Sequence, residues 1–298
     1  MNARPDIVCI GSVLWDIIGR SASAMRVGSD VPGRISRLPG GVALNIAMAL
    51  ARFGLRPALL SAVGRDAEGD DLVSACAALN LDTGYIYRSD DLPTDRYMAI
   101  EGANGLIAAI ADAHSLESAG DKILRPLGDG RLGTADDPFA GTVALDGNLT
   151  QALLEQIATD PALARADLRV APASPGKAER LLPFLTHPRA VLYVNLEEAG
   201  LLVQDRFDSA AQAAEALVTR GAARALVTDG GETAAEAVAG APTLERKPPE
   251  VLVTRVTGAG DTFMAAHIAA ELAGADRAGA LARALTAAAD YVSGDTPL

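Results

Sequence analysis

Apolar positions along this chain follow two rhythms that take turns. Short unbroken apolar runs, such as Ile7 to Ile10 and Ala190 to Val194, read as strands buried on both faces. Longer stretches with apolar residues three and four apart, such as Val42 to Phe53, read as helices with one buried stripe. The pattern predicts strands at 7–11, 57–63, 142–146, 168–171, 190–194, 223–228 and 251–253. It predicts helices at 42–53, 68–79, 115–124, 150–158, 176–185, 197–203, 209–220, 260–273 and 276–292. Strand and helix alternate, which is the rhythm of an α/β protein with a mainly parallel central sheet.

Two segments break the rhythm. Residues 13–38 are polar, with glycines at 19, 28 and 33, and predict two or three short exposed strands. Tyr97 to Ile100 and Leu106 to Ile110 flank Glu101-Gly102-Ala103-Asn104-Gly105, a hairpin with Asn-Gly in its turn. The two segments together predict a small sheet lying as a lid over the larger domain. The expected division is a main domain of 1–12, 39–91 and 112–298, and a lid of 13–38 and 92–111. Residues 126–141, rich in Gly, Asp and Pro, read as a surface loop, and 242–250 as a Pro-rich connector.

Composition narrows the function classes. The chain has 298 residues, 49% of them hydrophobic, which is enough for a large core. Its formal net charge is -12, and no basic stripe is visible, which argues against polymeric nucleic acid as a partner. No apolar window approaches the length of a membrane span, and the start is polar, so the expected location is cytoplasmic. Cys9 and Cys76 read as buried free thiols. His114, His187 and His267 are scattered, without zinc-site spacing.

The candidate chemistry centres on Gly258-Ala259-Gly260-Asp261, a tight turn that opens a helix. The free N–H groups of Gly258, Ala259 and Gly260 can hold an anion at the positive end of the helix dipole. A carboxylate beside a bound phosphate is repelled unless it has a task. For Asp261 that task is to take a proton from a hydroxyl attacking phosphorus, with Thr257 supplying the helix cap. Asn195 and Glu198 share a helix face after an apolar strand. They either order magnesium, directly or through water, or form a capping arrangement. Asp16, with Gly40, Gly41 and Asn45, can grip sugar hydroxyls, although Asp16 also reads as a turn residue. Thr228-Asp229-Gly230-Gly231 is either a phosphate clamp or a turn, and Asp146-Gly147-Asn148 a turn or a site edge. Lys177 follows Pro175-Gly176 at a helix start, where a solvated position is the default. The Walker pattern is absent, and the third glycine of the dinucleotide fingerprint is missing, which disfavours a dehydrogenase.

Four stretches in order resemble the ribokinase-like, or PfkB, family of carbohydrate and nucleoside kinases. Pro39 to Ala47 with Leu50 to Gly54 resembles its first signature, and Val256 to Phe263 its second. Asn195 to Glu198 is similar to its metal-side motif, and Val227 to Gly231 to its nucleotide-side turn. The resemblance implies a three-layer α/β/α domain with a small β-sheet lid, and phosphoryl transfer from ATP with Mg²⁺. It implies Asp261 as catalytic base, with Gly258, Ala259 and Gly260 as the anion hole. It implies Asn195, Thr228, Gly230, Gly258 and Gly260 on ATP, and Asn195 and Glu198 on the metal, through water. Ser12, Asp16, Gly40, Gly41, Asn45 and Lys177 fall to the sugar or nucleoside. Shorter stretches, Gly105 to Asp112, Asp146 to Leu149 and Pro172 to Ala178, are similar to the pseudouridine kinase subgroup. A ribokinase-like or fructokinase-like acceptor, or a non-catalytic sensor on the same fold, is the alternative. The edges of the lid sheet allow pairing into a homodimer. One position departs from the family: Arg255 stands where many members carry Asp. That leaves open the ion contact made there and any use of a monovalent cation.

Overall fold

The computed structural model describes residues 5–26 and 28–294. Residues 1–4, 27 and 295–298, which fall within the ranges expected for the main domain and the lid, lie outside it.

Residues of β1 (Ile7–Ile10) point alternately to two cores. Ile7 and Cys9 pack on one side, Val8 and Ile10 on the other, all four with no exposed surface. Such a strand has to lie at the centre of a sheet covered on both faces. β2 (Leu14–Arg20) and β3 (Arg34–Gly40) follow, then α1 (Val42–Arg52), β4 (Pro57–Leu60), β5 (Ala62–Gly64) and α2 (Ala67–Ala78). Next come β6 (Tyr87–Ser89), β7 (Arg96–Gly102), β8 (Gly105–Asp112), α3 (His114–Ala119) and α4 (Arg125–Gly128). The rest alternates: β9 (Thr142–Asp146), α5 (Gln151–Thr159), β10 (Asp167–Ala171), α6 (Leu182–Leu185), β11 (Ala190–Asn195), α7 (Leu196–Val203) and α8 (Ala210–Thr219). The chain closes with β12 (Arg224–Thr228), β13 (Ala234–Val238), β14 (Leu244–Arg246), α9 (Ala259–Leu272) and α10 (Arg277–Ser293).

Among the described residues the main sheet has eight strands in the order β14-β13-β12-β11-β10-β9-β1-β4. Pairing is parallel from β12 through to β4, and antiparallel at β12–β13–β14. Apolar faces of α1, α2, α9 and α10 cover one side of the sheet. Those of α3, α5, α7 and α8 cover the other, giving three layers. Burying each Leu or Ile in these layers contributes about 1.5–3 kcal/mol. A separate four-stranded sheet has the order β3-β2-β7-β8, with the β7–β8 hairpin turning at Ala103-Asn104.

Most helix boundaries follow local chemistry. The side chains of Asp66, Thr150, Ser209 and Asp276 cap α2, α5, α8 and α10, and Gly54 ends α1 at φ +85°. Several expectations fail for identifiable reasons. The expected strand at 57–63 is two, because β5 leaves the main sheet after Ser61 and pairs with β6. The expected helix at 115–124 stops at Ala119, since Gly120 takes φ +56°, and continues as a 3-10 turn. The expected helix at 176–185 is a 3-10 turn followed by α6, because Pro183 has no N–H to donate to the preceding turn. The expected strand at 251–253 is absent. Pro248 and Pro249 precede it, and the pairing edge of β13 is taken by β14 inside the expected connector. Residues 126–141 are more than a surface loop, since Leu127, Leu132 and Phe139 are buried in the core. No helix among the described residues is long and apolar enough to cross a membrane.

Candidate active site

The parallel strands all end at one edge of the sheet, and the candidate residues gather there. Asp146 ends β9 with no exposed surface. Its Oδ2 accepts from Ser12 N at 2.8 Å and from Ser12 Oγ at 2.5 Å. Ser12 Oγ in turn accepts from Val42 N at 2.9 Å and Asn148 Nδ2 at 3.1 Å. A hydroxyl has one donor and two lone pairs, so Ser12 is fully used. Ser12, expected at the ligand, ties β1, β9 and the start of α1 together. Lys177 Nζ donates to Asn148 Oδ1 at 2.5 Å, so the lysine reaches the edge through Asn148.

Glycines make this close packing feasible. Gly41 precedes α1 at φ +103°, and a Cβ there would meet Ser12 O at 2.5 Å. Gly40 lies directly under the carboxylate of Asp16, and a Cβ on it would overlap that group. Asp16 sits in β2 of the small sheet, with Leu38 and Tyr97 as its cross-strand neighbours. Burial raises its pKa to about 6.

Asp261 occupies the first turn of α9. Asn45 Nδ2 donates to its Oδ2 at 3.0 Å. The carboxyl is half-buried by surface yet enclosed by protein mass, and this raises its pKa to about 7. The Asn45 bond opposes that rise, while the charges of Asp146 and Glu198 add to it. Gly258 is the N-cap of α9 at φ +89°, and no side chain caps the helix, so Thr257 does not serve as the cap. Thr257 offers its carbonyl to Tyr291 Oη at 2.9 Å instead. The Ala259 N–H, expected in the anion hole, donates to Val256 O at 3.0 Å. Helix geometry leaves the N–H groups of Gly260 and Asp261 without an intrahelical partner, and that of Gly258 lies just before them at the N-cap.

Behind Asp261 the middle of α9 is fixed to the sheet by a buried polar network. Tyr193 Oη meets His267 Nδ1 at 2.9 Å and accepts from Arg169 Nη1 at 3.0 Å. Glu271 pairs with Arg224 at 2.7 Å and with Arg169. Burial lowers the pKa of His267 to about 3, and its two ring nitrogens face Tyr193 Oη and Arg224 Nη2 within the network.

Asn195 ends β11 and caps α7. Its side chain accepts from Glu198 N at 2.8 Å, and Glu198 Oε2 accepts from Asn195 N at 2.8 Å. The capping arrangement is thus realised. Glu198 is buried, and that burial raises its pKa. The capping box leaves Oε1 uncommitted. Thr228 pairs with Asn195 in the sheet register, and Gly230 lies exposed in the turn beyond it at φ +53°. Among the described residues no group of three or more His, Cys, Asp or Glu could hold a metal ion. Asn195 and Glu198 would fit a magnesium ion held through water, which would neutralise charge on phosphate oxygens.

A family model described as pfkB family carbohydrate kinase matches residues 4–294. The chain belongs to the pfkB family of carbohydrate kinases. The Escherichia coli pseudouridine kinase is 40% identical over 74 residues, which is 25% of this chain and 24% of that protein. The match thus spans about a quarter of that relative's length. Mouse ribokinase is 24% identical over 272 residues, 87% of this chain and 80% of its own. The structure of Arabidopsis thaliana ribokinase complexed with ribose and ATP superposes with a TM-score of 0.77 at 20% identity, covering 97% of this chain and 93% of that one. At that identity the likeness shows the ribokinase-like fold.

Asp146 and Asn148, read from the sequence as a turn or a site edge, organise the strand ends of this pfkB site. One feature escapes a reading of the sequence: Tyr291 braces the turn before α9 from 34 residues away, with no local signal.

Proposed function

We propose that the chain transfers the γ-phosphoryl group of ATP to the 5′-hydroxyl of pseudouridine. The observation that carries the chemistry is Asp261, a carboxyl raised to about 7 at the start of a helix and held by Asn45. A base of that pKa is half-ionised near neutral pH and accepts the hydroxyl proton as the oxygen attacks phosphorus. Gly258 and Gly260 direct their N–H groups at the phosphoryl oxygens, where charge is densest. Asp16 and Asn45 orient the acceptor, Gly40 and Gly41 let it approach the backbone, and Lys177 borders its base side. Thr228, Gly230 and Asn195 line the nucleotide side, with Glu198 on the metal's water. Magnesium bound with ATP supplies neutralising charge. The small sheet carrying Asp16, Leu38 and Tyr97 excludes water, since hydrolysis competes with transfer.

The choice of pseudouridine rests on the local identity to the Escherichia coli enzyme, and the longer match to a ribokinase favours ribose as the second reading. Turnover on pseudouridine, uridine, ribose and fructose with Mg-ATP separates the two. The expected result is the highest kcat/KM on pseudouridine. A higher value on ribose or fructose defeats the acceptor assignment, and no turnover on any leaves the sensor reading.

The partner of the small sheet is a second copy of the chain. Its face opposite Asp16 carries Ile35, Met98, Ile100 and Ile110, all exposed. An apolar sheet face of this kind marks an interaction surface.

A further inference from the structure

α10 ends at Ser293, and its last carbonyls carry the negative end of the helix dipole. Residues 254–258, which lead into α9, cross that end. Val292 O accepts from Thr254 N at 2.8 Å, Thr254 Oγ1 at 3.0 Å and Arg255 N at 3.2 Å. Arg255 Nε donates to Tyr291 O at 2.7 Å, and its guanidinium lies 3.9 Å from the centroid of the Tyr291 ring. The hydroxyl of the same tyrosine donates to Thr257 O. It also lies where a Cβ on Gly258 would be, at 2.5 Å. Tyr291 is therefore held on one side by Arg255 and braces the N-cap of α9 on the other.

Leu252, Val253 and Val256 are exposed, and residues 251–256 take no helix or strand. A segment with few buried contacts opens locally unless specific bonds hold it.

We propose that Arg255 is a positioning residue: a cation tethered to the chain that locks the anion-binding start of α9 onto the end of α10. This rests on the reading in which Gly258 and Gly260 receive the phosphoryl group. Arg255 brings its guanidinium to the Tyr291 carbonyl at the end of α10, so a positive charge at this helix end is built into the chain.

Calorimetry with a non-hydrolysable ATP analogue that keeps its γ-phosphoryl group, without any acceptor, tests this. Arg255→Ala is expected to weaken binding of the analogue about tenfold, the equivalent of one charge-assisted hydrogen bond. Millimolar guanidinium is expected to restore most of the loss, and Arg255→Lys to fall between, since it keeps the charge and loses the planar stack. Exchanging potassium for tetramethylammonium should leave the native protein unchanged. An Arg255→Ala affinity within twofold of native overturns the proposal, as does a loss that guanidinium does not repair. A native protein that responds to the exchange of potassium also overturns it. Should Arg255→Ala fail to fold, an Arg255→Lys affinity equal to native overturns it, and an intermediate one supports it. A native chain that binds no analogue would sink the kinase reading instead.

Discussion

Asn45 and Asp261 join the first turns of two helices 216 residues apart, through one 3.0 Å hydrogen bond. The bond stabilises the ionised carboxylate, while burial and the charges of Asp146 and Glu198 stabilise the protonated form. The balance leaves the group titrating at about 7. Removing the donor in Asn45→Ala should move the inflection upward by about one unit. The pH dependence of kcat/KM for the acceptor reads this directly, and an unmoved or lowered inflection contradicts it.

In the native chain the same profile should rise with pH and level off above an inflection near 7, because a base works only when ionised. Asp261→Asn should keep nucleotide affinity and lose about 10²–10⁴ in kcat. Near-normal turnover in that variant defeats Asp261 as the base.

Stability should respond to the same group with the opposite sign. Its folded pKa is raised from 3.8 to about 7, so the folded state holds the proton more tightly than the unfolded chain. That contribution is fully present below about pH 4 and is lost as pH rises through 7. Asp261→Asn, which cannot ionise, should therefore melt a few degrees above native at pH 8 and level with it near pH 4. A variant less stable than native at pH 8 rules out this account of the carboxyl.

Gly41→Ala should cost at least about 2 kcal/mol, because φ +103° disfavours a side chain and the added Cβ meets Ser12 O at 2.5 Å. Gly54 shares a positive φ of +85° but has nothing within 4 Å, so Gly54→Ala should cost only about 1 kcal/mol. Urea unfolding of the pair measures the difference. Equal costs would mean that the close approach to Ser12 contributes nothing.

These relationships also show why some of the molecule was legible in the sequence. Gly258 to Asp261 and Gly40 to Asn45 are local patterns, in which glycines and a polar side chain at a helix start declare their geometry within a few positions. The central strands are equally plain, since β1 and β11 are continuous apolar runs. β13 was hidden because its alanines carry little strand preference. A charged Glu236, buried against Arg224 and Arg277, also interrupts its middle. Leu132 and Phe139 are core residues without a period, set singly among Gly, Asp and Pro. Ser12 with Asp146, and Arg255 with Tyr291, lie far apart in the chain, so only the fold brings them together. For Ser12, that long-range partner makes a structural tie that its neighbours in the sequence do not announce.

The outer face of the small sheet offers the last test. Ile17, Met98 and Ile110 lie in one row of the strand register, and Ile35, Gly19 and Ile100 in the next. Asp16 projects from the opposite face, because successive residues of β2 alternate. Ile35 is 80% exposed and Ile110 67%, so together they form an apolar surface that leaves the ligand side untouched. If a second copy covers it, the native chain runs in solution at twice 30.5 kDa. Replacing both residues in Ile35→Glu/Ile110→Glu sets like charges against each other across the two-fold axis and should give a monomer. Neither side chain is buried within the protomer, so the helical circular dichroism and melting cooperativity should persist. Light scattering of native and variant reads the outcome. A native monomer, or a charged variant that stays dimeric, would show that this face is not where two copies meet.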